Sequence, residues 1–288
     1  MHSRTEHLLV RTKEMRMNET TLIIGGTGKT GRRIAQRLTA LGAPVRIASR
    51  TGAPPFEWTD RNTWPAVVDG AGAMYLAYHP DLAVPGAADD IAALTKLAVA
   101  SGVRRIVLLS GRGEEQVLPS ERAVRESGAA FTILRAAWFA QNFSEGQLRE
   151  PVLSGEIAFP AGNVAEPFVD ADDIADVAVA ALTHPAHDGK TYELTGPRLV
   201  TFAEAAAEIS RASERDVRYL PVSSAAYAKV LADFMPAEEA AFITELFAGL
   251  LDGHNAHLAD GVKRALGREP RDFRDFARAA ARAGAWQR

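Results

Sequence analysis

The stretch from Thr21 to Gly31, TLIIGGTGKTG, constrains the fold of this chain more than any other part of it. A short apolar run leads into three glycines spaced three residues apart, Gly25, Gly28 and Gly31, and a helical apolar pattern follows. A strand that turns in this way into a helix directs backbone N–H groups, and the positive end of the helix dipole, at one point. That arrangement suits an anion, and we expect the pyrophosphate of a dinucleotide.

The glycines allow two other interpretations. Gly28-Lys29-Thr30 resembles the end of a nucleoside-triphosphate loop, but the first glycine of that motif would fall at Ile23, inside the apolar run. The glycines could also be present only because a strand–helix turn requires positive φ angles, without any ligand. The G-x-x-G-x-x-G spacing is instead typical of short-chain dehydrogenases. The residues that we predict to bind the pyrophosphate are Gly25, Thr27, Gly28, Lys29, Thr30 and Gly31.

The end of the second predicted strand indicates which dinucleotide binds. An enzyme that uses NAD carries an acidic residue about 20 residues after the glycines, where it contacts the ribose 2′-hydroxyl. Here that position holds Ser49 and Arg50, and no carboxylate appears before Glu57. A guanidinium group binds a 2′-phosphate through charge-assisted hydrogen bonds. We therefore predict NADP(H) rather than NAD(H), the alternative being that Arg50 simply ends a strand in solvent.

Composition excludes several classes of function. The 288 residues carry a net charge of −3 and no basic stripe, so a nucleic-acid partner is not expected. The absence of cysteine excludes a disulfide framework and a thiol nucleophile, and the histidines show no metal-binding spacing, so we predict no metal site. No apolar run reaches the length of about 18 residues that crosses a bilayer. We expect a cytoplasmic protein that does not bind membranes and acts on a small molecule, and a homodimer is compatible with the sequence.

Strand-like and helix-like segments alternate, which predicts an α/β fold with a Rossmann-type, doubly wound parallel sheet. We predict a flexible extension over residues 1–18, with Met17 as a natural start. An NADP-binding domain is expected over 19–150, including a short third strand at Phe56–Trp58. Residues 151–288 are expected to form a smaller, mostly helical lobe that binds substrate and interleaves with the first domain.

The predicted topology also indicates which residues surround the nicotinamide. Ligands bind at the carboxyl ends of the strands in such sheets, which predicts cofactor contacts from Ala77, Tyr78, Ser110 and Gly111. The weak catalytic candidates are Ser110, His79 and Glu121; an exposed and inert side chain is the simpler expectation for His79 and Glu121. The candidates for substrate binding are His79, Trp138, Phe139, Asn142 and Phe159, although core packing and a helix cap would explain the aromatic and amide residues equally well.

With these residues in place, the chain resembles the NmrA-like family of atypical short-chain dehydrogenases/reductases. The resemblance is carried by GGTGKTG, FEWTDRNTW, ESGAAFTILRAAWFAQNF, FPAG with EPFVDADDIADVA, and LTGPRLVTFAEAAAEIS, in that order, with the tail DGHNAHLADGVKRALGREPRDFRDF. Within the family, the festuclavine-dehydrogenase-like and quinone-reductase-like groups are the most similar. The resemblance implies NADP(H) binding. It also implies that the protein is either a reductase or a redox sensor that catalyses no reaction.

The chain departs from conventional short-chain dehydrogenases in its catalytic residues. Those enzymes use Tyr-x-x-x-Lys, in which the lysine lowers the tyrosine pKa for proton transfer. None of the five tyrosines here has a lysine four residues later, and no lysine lies between Lys96 and Lys190. Ordinary ketone reduction and sugar-nucleotide epimerisation are therefore disfavoured. Hydride transfer to an activated conjugated, quinone-like or imine-like acceptor needs no such pair, so we predict an NADP(H)-dependent reductase, with the sensor as the alternative.

Overall fold

A computed structural model describes residues 19–287, so the extension predicted for residues 1–18 lies outside the described part. The strands are β1 (Thr20–Ile24), β2 (Val45–Ala48), β3 (Ala71–Leu76), β4 (Arg105–Gly111), β5 (Ala130–Ala136), β6 (Glu156–Phe159), β7 (Ala165–Glu166), β8 (Lys190–Leu194), β9 (Val200–Thr201) and β10 (Arg218–Pro221). The α-helices are α1 (Lys29–Ala40), α2 (Trp64–Val68), α3 (Ala87–Ala100), α4 (Leu118–Arg125), α5 (Asn142–Glu145), α6 (Arg149–Ser154), α7 (Ala171–Thr183), α8 (Phe202–Ser213), α9 (Ser224–Leu231), α10 (Ala237–Leu250), α11 (Gly261–Leu266) and α12 (Phe273–Arg282).

Six strands form one sheet in the order β2-β1-β3-β4-β5-β8. Strand β1 pairs in parallel with β2 and with β3, and β3 pairs in parallel with β4. The chain therefore builds outward in both directions from β1, which confirms the predicted doubly wound α/β fold. The carboxyl ends of these four strands meet at one edge of the sheet, the edge at which such folds bind ligands.

The prediction of a third strand at Phe56–Trp58 is wrong, because these residues form no strand. Glu57 forms only an isolated bridge with Asp60. The Glu57 N–H donates to the Thr63 hydroxyl at 3.1 Å, and its carbonyl accepts from the Trp64 indole at 2.8 Å. Since local side chains satisfy both backbone groups of this residue, a sheet ladder has nothing to pair with there.

The chain divides into two compact units. The first, the nucleotide unit, comprises described residues 19–135 with 174–192 and 264–267; the second, the aromatic unit, comprises 136–173, 193–263 and 268–287. The first segment of the nucleotide unit ends at Arg135. The unit takes in 174–192 because β8 joins the sheet and because Asp176 of α7 accepts from the Arg37 guanidinium of α1 at 2.7 Å.

Each unit has its own apolar core. In the nucleotide unit, fully buried side chains follow one another along the central strands, up to Ile24 in β1, Leu76 in β3 and Leu108 in β4. In the aromatic unit, the buried core contains six phenylalanines, among them Phe143 and Phe202. Across residues 19–287, no helix is long and apolar enough to cross a membrane.

Candidate functional site

The glycines that follow β1 form a tight turn against neighbouring backbone. Gly25 has φ of +75°, which favours glycine, and the Gly28 N–H donates to the Gly25 carbonyl at 3.0 Å. A Cβ atom on Gly31 would lie 2.2 Å from the Gly25 oxygen, and one on Gly26 would lie 2.6 Å from the Ile47 side chain. The turn therefore requires bare backbone, and it leaves Thr27 and Gly28 exposed.

Helix α1 begins at this turn without a side-chain cap. Gly28 occupies the N-cap position and, being a glycine, offers no side chain to cap the helix, and the first turn contains no acidic residue. The uncapped amides and the helix dipole therefore suit an anionic ligand. The buried Tyr75 hydroxyl of β3 donates to the Thr30 hydroxyl at 2.8 Å, which fixes the first turn of the helix against the sheet. The backbone around the turn fits a dinucleotide pyrophosphate.

The turn after β2 presents Ser49 and Arg50. The Ser49 carbonyl accepts from the N–H groups of Gly52 at 3.1 Å and Phe56 at 2.9 Å, which holds the turn closed. The Arg50 side chain is 81% exposed, and its Nε atom lies 3.9 Å from a Glu57 oxygen. An exposed pair at that distance contributes little to stability. The guanidinium can therefore rotate toward a phosphate at low cost.

At the end of β3, Ala77 packs against the glycine turn, because a Cβ on Gly25 would lie 3.1 Å from the Ala77 methyl group. The next residue, Tyr78, donates its hydroxyl to Asp90 at 2.8 Å, and its ring centroid lies 4.4 Å from that of Trp58. Burial and the neighbouring Asp90 raise the pKa of Tyr78 to about 12, so this phenol stays protonated at neutral pH. His79 is exposed.

The end of β4 contains a buried polar network. The Ser110 hydroxyl donates to Glu121 of α4 at 2.8 Å, and Ser110 and Glu121 are 4% and 2% exposed. Arg135 binds the same carboxylate through two hydrogen bonds, of 2.8 and 2.7 Å. The expectation of an exposed helical glutamate is wrong, because Arg135 at the end of β5 supplies the counter-charge that allows burial. Gly111, which ends β4, is half-buried.

This network determines what Ser110 and Glu121 can do chemically. Burial raises the pKa of Glu121, but hydrogen bonds from Arg135 and Ser110, together with the charges of Arg135 and Arg125, outweigh burial and leave that pKa lowered. The carboxylate is therefore ionised at neutral pH and has no proton to donate. The Ser110 proton is directed at the carboxylate, so the serine oxygen can act toward a ligand only as an acceptor.

In the aromatic unit, two of the substrate-binding candidates meet. The Trp138 and Phe159 ring centroids lie 5.6 Å apart, nearly perpendicular to each other. Phe159 is fully buried, whereas Trp138 is half-buried. Phe202 stacks on Phe159 at 5.2 Å, and Phe247 lies 5.2 Å from Trp138. Together with Tyr227, 5.1 Å from Phe159, these residues are called the aromatic cluster below.

The other two substrate-binding candidates from this region, Phe139 and Asn142, form backbone contacts with neighbouring segments. Phe139 bridges to Val169, and its carbonyl accepts from the Asn142 N–H at 3.0 Å at the start of α5. Asn142 in turn accepts from the Leu148 N–H at 3.1 Å through its own carbonyl. Both side chains are half-buried.

No family model matches the chain, but curated relatives align over most of its length. "Uncharacterized oxidoreductase YesF" of Bacillus subtilis is 35% identical over 92% of this chain and 96% of its own. NAD(P)H azoreductase of Xenophilus azovorans is 31% identical over 91% and 98%. Agroclavine dehydrogenase of Claviceps fusiformis is 32% identical over 89% and 96%.

Solved structures agree in fold. Triphenylmethane reductase of Citrobacter sp., complexed with NADP(H), has a TM-score of 0.71 at 21% identity, over 91% of this chain and 99% of that one. NmrA, a negative transcriptional regulator solved with NAD, has a TM-score of 0.68 at 14% identity, over 93% and 97%. The protein belongs to the NmrA-like family of atypical short-chain dehydrogenases/reductases.

Several residues of this NmrA-like protein's site were missed by sequence reasoning. Arg135, the counter-ion of Glu121, looked like the last residue of a buried strand. The sequence analysis predicted neither Phe247 nor Tyr227 as a site residue. Tyr227 and Phe247 lie on different helices, and no local pattern links them to Trp138. The one local signal for Arg135 is its charge between the apolar residues Leu134 and Ala136, both of which are buried.

Proposed function

We propose that this protein is an NADPH-dependent reductase that transfers a hydride to a small, flat, conjugated acceptor. The observation that carries the proposal is the uncapped start of α1 behind a turn in which Gly26 and Gly31 leave no room for a side chain. Such a turn allows a pyrophosphate to approach the backbone closely. The relatives named as NAD(P)H azoreductase and agroclavine dehydrogenase support a reductase.

We further propose where the cofactor lies. The pyrophosphate would bind Gly25, Thr27, Gly28, Lys29, Thr30 and Gly31, the 2′-phosphate would bind Ser49 and Arg50, and the remainder would pass Ala77, Tyr78, Ser110 and Gly111. The exposed guanidinium of Arg50 supports NADP(H), because it can form charge-assisted bonds with a phosphate that NAD lacks. In this arrangement Ser110 accepts a hydrogen bond from the cofactor and Glu121 positions Ser110.

The chemistry proposed requires no protein acid. Reduction of a quinone takes one hydride from NADPH and one proton from water, and it yields a hydroquinone and NADP+. Neither Glu121, which is ionised, nor Tyr78, whose pKa is raised, supplies that proton readily at neutral pH. An acceptor that is already electron-poor suits such a site. His79, Trp138, Phe139, Asn142 and Phe159 remain the proposed substrate contacts.

Consumption of NADPH tests the proposal. Purified protein would be mixed with NADPH and with quinones, azo compounds, enals and cyclic imines, and the absorbance of the reduced nicotinamide would be followed. We expect turnover with at least one acceptor and a clear preference for NADPH over NADH. Tight NADPH binding without consumption of any acceptor would favour the alternative, a redox sensor. NmrA, a negative transcriptional regulator, has a similar fold.

The assembly and location are further parts of the proposal. We propose a homodimer because Val230 and Phe234 are 56% and 81% exposed, and exposed apolar side chains are commonly covered by a partner. We propose a cytoplasmic location because NADPH is supplied inside the cell. Sedimentation velocity of the parent and of Phe234→Glu tests the first, and cell fractionation tests the second.

A further inference from the structure

One side of the aromatic cluster remains open. Trp138, Tyr227 and Phe247 are only partly buried, although they pack against the fully buried Phe159 and Phe202. Tyr227 and Phe247 lie 6.3 Å apart, and both contact Phe159, at 5.1 and 5.2 Å. Because the buried pair forms a complete core without a ligand, a flat molecule can lie against the three outer rings without unpacking it.

The indole N–H of Trp138 is buried but has no hydrogen-bond partner. An indole nitrogen can only donate, and a buried donor without an acceptor costs about 1–3 kcal/mol. The ring meets Phe159 and Phe202 nearly at right angles, at 82° and 84°. An oxygen acceptor placed at this nitrogen would therefore be stabilised.

The Tyr227 hydroxyl is a second donor in the same cluster. Among the residues that the structure describes, it has no hydrogen-bond partner, and burial alone raises its pKa, so it keeps its proton at neutral pH. Tyr219, which also packs on the cluster, differs in this respect. Its hydroxyl donates to the Phe159 carbonyl at 2.9 Å. The hydroxyl of Tyr219, beside the cluster, thus has a hydrogen-bond acceptor, whereas the hydroxyl of Tyr227, within the cluster, is available to a ligand.

The cluster itself has no charge. All five of its members are aromatic side chains. A charged ligand would lose its hydration there without a counter-ion, whereas a neutral conjugated ring would gain from stacking on the aromatic faces. Aromatic faces also attract cations. The preference between a neutral and a cationic ligand therefore depends on the hydrogen-bond donors, the Trp138 N–H and the Tyr227 O–H.

We propose that the open face formed by Trp138, Tyr227 and Phe247 is a subsite for a neutral, planar carbonyl compound, whose oxygens accept hydrogen bonds from the Trp138 N–H and the Tyr227 O–H. This inference rests on the proposed reductase function and narrows its substrates to quinones and similar conjugated carbonyls. A cationic iminium acceptor fits less well, because it offers no lone pair to either donor and places positive charge beside both hydrogens.

Binding to the full-length protein tests the subsite. Equilibrium dialysis with NADP+ present, which prevents turnover, would compare 2-methyl-1,4-naphthoquinone with 2-methylnaphthalene, the same rings without carbonyls. Trp138→Phe and Tyr227→Phe each remove one donor and keep an aromatic ring. We expect each variant to weaken quinone binding about three- to tenfold, the effect of one neutral hydrogen bond, and to leave hydrocarbon binding within about twofold.

Tyr219→Phe is the matched control, since it removes a hydroxyl that is already satisfied within the cluster. It should leave quinone affinity within about twofold. Thermal melting of each variant would confirm folding. Should Trp138→Phe fail to fold, Tyr227→Phe carries the test alone, because this side chain is partly exposed.

Three outcomes would overturn the subsite: no binding of the quinone, equal losses for quinone and hydrocarbon, or tighter binding of a cationic triarylmethane dye that neither variant weakens. NADPH affinity, measured separately, distinguishes this failure from failure of the proposed function. Quinone binding that the variants weaken, in a protein without affinity for NADPH, would retain the subsite and refute the reductase.

Discussion

The substitution Glu121→Gln tests whether the buried network behind Ser110 holds the nucleotide unit together. Glutamine preserves the size of the side chain but replaces one carboxylate oxygen with an amide nitrogen. Its remaining oxygen can still accept hydrogen bonds, while its NH₂ group would face a donor of Arg135 or Ser110. The variant also removes the negative charge that lies 2.7 Å from Arg135 and 3.5 Å from Arg125.

The expected loss of stability follows from these contacts. A hydrogen bond to a charged group contributes about 1.5–3 kcal/mol, and removing one partner of a buried ion pair costs about 3–5 kcal/mol. The Arg135 side chain is 27% exposed, so water can partly solvate it after the change. We therefore expect Glu121→Gln to lower the free energy of unfolding by about 2–4 kcal/mol.

Urea unfolding followed by circular dichroism would measure this loss, with thermal melting as a second probe in case the two units unfold separately. Glu115→Gln is the matched control, because Glu115 is exposed on the turn before α4, and it should change stability by less than about 0.5 kcal/mol. The double variant Glu121→Gln with Arg135→Met should be more stable than the sum of its single changes predicts. A loss below about 0.5 kcal/mol for Glu121→Gln, or strict additivity, would refute this account of the network.

The same carboxylate predicts a dependence on pH. The pKa of Glu121 is lower in the folded protein than its ordinary value of 4.5, so its contribution is complete above that value and is lost as the pH falls through the folded pKa. The difference in stability between the parent and Glu121→Gln should therefore be constant near neutral pH and shrink in acid. Denaturant midpoints measured from pH 7 to pH 3 would show it, and a difference that grows in acid would contradict the assignment.

Three further predictions concern nucleotide binding and the stability of the nucleotide unit. Gly31→Ala should abolish tight NADPH binding and destabilise the fold by about 1–3 kcal/mol, because the new methyl group would lie 2.2 Å from a backbone oxygen. Gly249→Ala, in open space on α10, should instead be neutral or stabilising in the same melting and calorimetry experiments. Arg50→Asp should weaken the affinity for NADPH about 10- to 100-fold and change the affinity for NADH by less than about twofold, both measured by calorimetry. Equal losses of affinity for the two cofactors would show that Arg50 does not contact the 2′-phosphate. Tyr75→Phe should cost about 1–2 kcal/mol in urea unfolding, because it breaks the buried bond to α1, and an unchanged midpoint would show that the bond contributes nothing.

The nucleotide-binding part of the fold was predictable because its signals are local. Strand β1, the glycine turn and the amphipathic helix α1 follow one another within about 20 residues, and hydrophobic periodicity identifies each of them. The error at Phe56–Trp58 arose because apolar residues in sequence resemble a strand, whereas side-chain hydrogen bonds from Thr63 and Trp64 close a turn there.

The doubly wound sheet and the glycine turn could be predicted because each strand, helix and turn is encoded by residues adjacent in the chain, and the family could be predicted because its motifs follow one another in order. The burial and ionisation of Glu121 could not be predicted, because its counter-ion comes from a strand 14 residues away. Only the tertiary structure decided that Trp138 and Tyr227 border the same cluster with unpaired donors. Burial and pairing of polar groups depend on which distant elements pack together, and a linear pattern does not encode that proximity.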